Sequence, residues 1–156
     1  MQLSAIHIGI IVTIVMLLPI VYLIINASGK DKKVKKAIIQ LAQNAGADIK
    51  SLDIIGNCII GLDANSKKLV YSTKKNTAAD FKVIDITEVK DFRAKSIRQT
   101  DKTLDWVGLE IVEKTGKSEI PFYNEHDENE LATDAFVCLQ NAKRWENTVR
   151  PLLKAS

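Results

Sequence analysis

The densest group of chemically capable side chains is Asn124–Glu125–His126–Asp127–Glu128–Asn129–Glu130. A histidine among carboxylates suggests a divalent-metal site or an acid/base pair. Metal sites usually draw ligands from several elements, and the other histidine, His7, lies in a distant apolar segment. The cluster also precedes a helical pattern, where carboxylates suit the positive end of the helix dipole. Asn124 or Asp127 would then act as the cap. This reading is capping, with no metal. Asp63 and Asn65 resemble the opening of a calcium loop, but the glycine and the closing glutamate such a loop needs are missing, leaving a turn. Cys58 and Cys138 sit in apolar runs and are expected to be buried, reduced and inert. The seven glycines are scattered, so no phosphate-cradling loop forms. No catalytic residue, cofactor or enzymatic activity is expected.

A second group is basic. Lys67, Lys68, Lys74 and Lys75 bracket one strand-like stretch, and Arg93, Lys95 and Arg98 follow in another. They offer a surface for anionic lipid headgroups or an acidic partner, with an ordinary solvated face as the competing reading. Aromatic residues do not interleave with them at base-stacking spacing, so nucleic acid is not an expected partner.

The elements that must position these residues begin with Ala5–Ile25, a run of 21 residues free of Asp, Glu, Lys and Arg. At ~1.5 Å per residue a helix of that length covers about 30 Å, the thickness of the bilayer core. A transmembrane anchor over residues 1–29 is expected. A cleaved signal peptide is the alternative, with a cut offered at Ile25–Asn26–Ala27. Against it stand the length of the apolar run and the lack of positive charge before it.

Residues 30–36 hold Lys30, Lys32, Lys33, Lys35 and Lys36 against Asp31, whereas 37–156 hold 17 Lys and Arg against 18 Asp and Glu. The basic balance of the chain thus belongs to one junction. Lysines beside a span favour the cytoplasmic side. The amino terminus is therefore expected outside, the bulk of the chain in the cytoplasm, and these five lysines against the inner leaflet. Residues 30–49 form this juxtamembrane segment and a short amphipathic helix marked by Val34, Ala37, Ile38, Leu41, Ala42 and Ala45, with Gly46 as its left-handed cap. Its apolar stripe suits packing on the domain, or lying flat on the membrane.

Residues 50–156 read as one α+β domain. Strands are expected at 54–62, 68–73, 81–86, 88–99, 104–114 and 118–124, with turns at Asp63–Lys67 and Thr115–Lys117. In the fifth, Val107, Leu109 and Ile111 alternate with Gly108 and Glu110, which directs the first three inward. Pro121 suits an edge or a bulge. Leu131, Ala135, Cys138, Leu139, Ala142, Trp145, Val149, Leu152 and Leu153 trace one side of a closing helix that must pack on the sheet.

The stretches IIGLDANSKKLVYSTKK, FKVIDITEVKDF, LDWVGLEIVEKTGKSEIPFYN and AKRWENTVRPLL, in this order over residues 50–154, resemble the pleckstrin-homology-like (PH-like) fold. They are similar in particular to bacterial proteins with one N-terminal span and a PH-like cytoplasmic domain. The resemblance implies an antiparallel barrel or sheet of six to seven strands closed by a long C-terminal helix. It also implies a non-catalytic interaction or scaffold module; the anchor, the cytoplasmic orientation and the lack of catalytic groups add the expectation of an accessory subunit of an inner-membrane protein complex. An anionic lipid- or small-ligand-sensing domain is the alternative. The Lys…Arg-x-Arg pattern of the lipid-binding members is absent from the first hairpin, so phosphoinositide recognition is not implied.

Overall fold

The computed structural model describes residues 5–100, 102–127 and 133–154. The chain falls into two compact units, residues 1–36 and 37–156.

Helix α1, Ala5–Asn44, is one continuous element of 40 residues with Pro19 inside it. In the first unit the side chains of Ile14, Val15, Met16, Leu17, Leu18 and Tyr22 are each at least half exposed. Among the described residues no helix is long and apolar enough to cross a membrane. Most of the expected anchor, at 5–12, 20–21 and 23–25, falls on side chains outside the description.

In the second unit α1 ends on Gly46, whose φ of 72° is left-handed as expected. The Ala47 N–H bonds Ala42 O at 2.8 Å and the Gly46 N–H bonds Gln43 O at 3.0 Å, the paired closure of a Schellman motif. Lys68 Nζ then donates to Ala45 O and Gly46 O at 3.0 and 3.1 Å. The expected short helix is thus the last turns of α1, and Ile38 and Ala42 are fully buried in this unit.

Among the described residues seven antiparallel strands follow, in two sheets. The first sheet has the order β1 (Ser51–Ile55), β2 (Cys58–Asp63), β3 (Lys68–Thr73), β4 (Lys82–Asp85); the second is β5 (Val89–Thr100), β6 (Thr103–Glu113), β7 (Lys117–Asn124). The expected strand 54–62 is in fact a hairpin. Ile55 pairs with Cys58 across Gly56–Asn57, and Gly56 has a φ of 58°. A glycine first in a two-residue loop is the type II′ signature, whose twist matches the strands. The expected strand 81–86 stops at Asp85, which caps a 3-10 turn, Ile86–Glu88, by accepting from the Thr87 N–H and hydroxyl. That turn carries the chain from the first sheet into the second. Among the described residues neither sheet closes into a barrel.

The core joins Ile60, Leu62 and Leu69 of the first sheet, Phe92, Val107, Leu109, Ile111, Ile120 and Phe122 of the second, and Cys138, Ala142, Trp145 and Val149 of α2 (Ala135–Lys154). Every residue of β2 is buried, because both of its faces are covered. A Cβ on Gly61 would meet Ile49 Cγ2 and Leu52 Cδ1 at 2.8 Å each, so a side chain there would require those two to shift.

Both outer strands of the second sheet carry edge features. In β7, Pro121 offers no N–H, and the register shifts opposite it between Val107 and Gly108. In β5, Glu146 Oε2 of α2 accepts the Ala94 N–H at 3.0 Å. Two irregularities further along, between Ile97 and Thr100, bend the same strand.

Candidate functional site

Where β3 and the start of β2 face β7, the two sheets leave a cavity of about 190 Å³. The Gly56–Asn57 turn and the Pro121 bulge shape its ends. Cys58, Ile120, Pro121 and the Tyr71 ring line it, with Asn57, Asn124 and Asp127 among its polar residues. Ser72 and Thr73 line it too, but their hydroxyls are committed: Ser72 Oγ donates to Thr77 O at 2.7 Å and Thr73 Oγ1 to Asp80 Oδ2 at 2.5 Å. Asn124 Oδ1 accepts the His126 N–H at 3.1 Å. The side-chain amide of Asn57 and the Tyr71 hydroxyl make no hydrogen bond among the described residues. Lys82 Nζ stands 5.7 Å from the Tyr71 ring centre, fixing that ring from one side. Carbon walls with mostly neutral polar groups and a single carboxylate, Asp127, suit binding rather than proton transfer. Of these lining residues the sequence drew attention to Asn124 and Asp127 as caps, Cys58 as a buried thiol and Pro121 as an edge residue, but nothing in it grouped them into one site.

The basic residues do not form one face. Lys67 (φ 53°) ends the β2–β3 turn and Lys68 begins β3, while Lys74 and Lys75 follow its other end. Arg93 and Lys95 lie on the second sheet and converge on Glu110. Arg93 Nε donates to Glu110 Oε1 at 2.8 Å, with its Nη2 on the same oxygen. Lys95 Nζ reaches Glu110 Oε2 at 3.3 Å and Glu119 Oε1 at 2.5 Å. Arg98 is exposed near the distal end of the β5–β6 hairpin.

Glu110 was expected on the outward face of β6, yet it is 95% buried under these cations. Its carboxyl is held below the usual range, first by the Arg93 hydrogen bond and also by Lys95, against the cost of burial. Arg93 is raised, chiefly by the hydrogen bond it donates to Glu110, and Lys95 by those it donates to Glu119 and then Glu110. Beside them Trp106 lies over Gly108, where a Cβ would stand 2.6 Å from the ring.

A separate hub forms at Asp63. Its carboxylate accepts Ser66 Oγ at 2.6 Å and the N–H groups of Asp48, Asn65 and Ser66 at 2.8 to 3.2 Å. These bonds, the Ser66 hydroxyl foremost, lower its pKa from 3.8 to about 2. It ties the segment after α1 to the β2–β3 turn, the role of a turn residue rather than a calcium ligand.

Neither Asn124 nor Asp127 caps the last helix. Asp134 does, accepting the N–H groups of Phe136 and Val137 at 2.8 and 3.3 Å. Asn124 instead closes a turn after β7, and His126 Nε2 lies 3.3 Å from Asp105 Oδ1. Residues 128–130 lie outside the described residues, as does Leu131 of the expected helical stripe. Among the described residues no three His, Cys, Asp or Glu side chains are grouped as metal ligands would be. Lys30, Lys32, Lys33, Lys35 and Lys36 are exposed along α1.

Compared with known proteins, the chain matches no family model, no curated protein and no solved structure.

Proposed function

We propose that the chain is a single-span protein of the bacterial inner membrane carrying a PH-like cytoplasmic domain. That domain acts as a non-catalytic interaction module, accessory to a membrane-protein complex. The observation that carries this reading is the helix of the first unit. Five successive large apolar side chains, Ile14 to Leu18, face outward around α1. Water would not tolerate them on a free helix, and the lipid bilayer is the medium that would. The five lysines that follow on the same helix support an amino terminus outside and a domain on the cytoplasmic side.

The PH-like reading draws support from the four-plus-three antiparallel strands and the single amphipathic helix that follows them. The open sheets and the second covered face of β2 are departures from the expected barrel. Lipid sensing through the basic strand faces is less favoured. Arg93 and Lys95 are engaged by Glu110 and Glu119, and Lys68 by the end of α1.

A reporter active only outside the cytoplasm, fused after Ser156, is expected to stay silent; activity would overturn the orientation. On gentle solubilisation the protein is expected to migrate with a partner. Migration alone would overturn the accessory-subunit reading.

A further inference from the structure

The cavity between β3 and β7 has a definite size and a definite chemistry. Its volume of about 190 Å³ is that of one six-membered ring with a small substituent, since an apolar cavity of about 150 Å³ holds benzene. Its apolar surface comes chiefly from Pro121 and the Tyr71 side chain, with the buried Cys58 and Ile120 packed behind them. Two hydrogen-bonding groups remain without a partner among the described residues, the Tyr71 hydroxyl and the Asn57 amide. The first both donates and accepts, as does the second. No Lys, Arg or His lines the cavity, and the one charged lining residue is Asp127. Anionic ligands are therefore disfavoured by like charge and by the lack of any cation to meet them.

From these features we propose that the cavity binds a neutral phenol ring, its carbon face between Pro121 and Tyr71 and its hydroxyl bonded to Tyr71 and Asn57. The ring belongs either to a free small molecule or to a tyrosine side chain of a partner protein. The proposal deepens the reading of the domain as a binding module and rests on it to that extent; the anchor plays no part.

The test uses the purified full-length chain and NMR titration with four probes: p-cresol, toluene, p-cresyl phosphate and N-acetyltyrosinamide. p-Cresol is expected to bind saturably and to shift the resonances of Cys58 and Ile120. Toluene is expected to bind about tenfold more weakly for want of the hydroxyl's hydrogen bonds, and p-cresyl phosphate not at all. Tyr71→Phe should bring p-cresol down to the toluene affinity and leave toluene itself unchanged. That last comparison guards against a fold defect, because a collapsed cavity would lose both ligands.

If N-acetyltyrosinamide matches p-cresol, the occupant is a protein tyrosine; if p-cresol alone binds, it is a free phenol. Absence of saturable p-cresol binding, equal affinity of the phosphate ester, or indifference to Tyr71→Phe would each overturn the proposal. None of these failures would touch the topology, which the reporter reads separately.

Discussion

Trp145 offers a quantitative test of how α2 holds the sheets. The side chain is 2% exposed and belongs to the core shared with Phe92, Val107 and Leu109. Its indole Nε1 is buried and has no hydrogen-bond partner among the described residues. Everything this residue contributes is therefore packing and transfer from water. Trp145→Ala should cost about 3–5 kcal/mol, the range for deleting a buried aromatic ring.

Trp145→Phe behaves differently. It leaves a smaller void but also removes an unpaired donor, whose burial costs about 1–3 kcal/mol. The two contributions oppose each other, so the Phe variant should lie within about 1–2 kcal/mol of the parent. At this domain size 1 kcal/mol moves the melting midpoint by about 3–5 °C. The Ala variant should then melt ~9–25 °C lower and the Phe variant within ~10 °C of the parent. Circular dichroism melts of the full chain, with Trp106 fluorescence as a second probe, would measure both. A loss below ~1 kcal/mol for Ala would refute burial against the sheets. Equal losses for Phe and Ala would show that the indole N–H is engaged after all.

The Asp63 hub should give an acid limb. Its folded pKa of about 2 lies below the ordinary 3.8, so its stabilisation is complete above pH ~4 and is lost as pH falls through ~2. Denaturant midpoints of Asp63→Asn should sit below the parent at pH 5 and converge with it towards pH 2; parallel curves would contradict this. Asp85 and Glu110, also lowered, leave a residual slope in the variant. Gly108→Ala places a methyl against the Ile120 carbonyl and 2.6 Å from the Trp106 ring, and should cost about 1–3 kcal/mol. Adding Trp106→Ala relieves the ring clash but not the backbone one, so double-mutant melts should show partial, not full, recovery. Asp134→Ala should cost about 0.5–2 kcal/mol as a lost cap, whereas Asn124→Ala should leave the helicity of α2 unchanged by circular dichroism.

The regular elements were legible where one local rule sufficed. The run KLVYST is β3 itself, and Gly46, Pro121 and the Trp145 stripe fell where backbone geometry and periodicity put them. The Gly56–Asn57 hairpin was hidden because isoleucines on both sides made the stretch look like one buried strand. The reason both halves are apolar is tertiary: β2 is covered on two faces. Glu110 misled for a related reason, since its burial depends on Arg93 and Lys95 one strand away. The abundance of carboxylates at 124–130 drew the cap upstream of Asp134. The cavity was beyond local reading, because Tyr71 and Ile120 stand 49 positions apart and meet only when the sheets assemble.

The edges of the second sheet bear on how copies of this chain behave when crowded. A protein confined to a membrane, as proposed, meets its neighbours at high surface density, where a bare strand edge invites sheet extension. Pro121 withholds a donor on one side, while Glu146 occupies the Ala94 N–H on the other and bulges skew the rest. Recognition through that sheet is consequently left to side chains, and backbone-templated self-association there is suppressed.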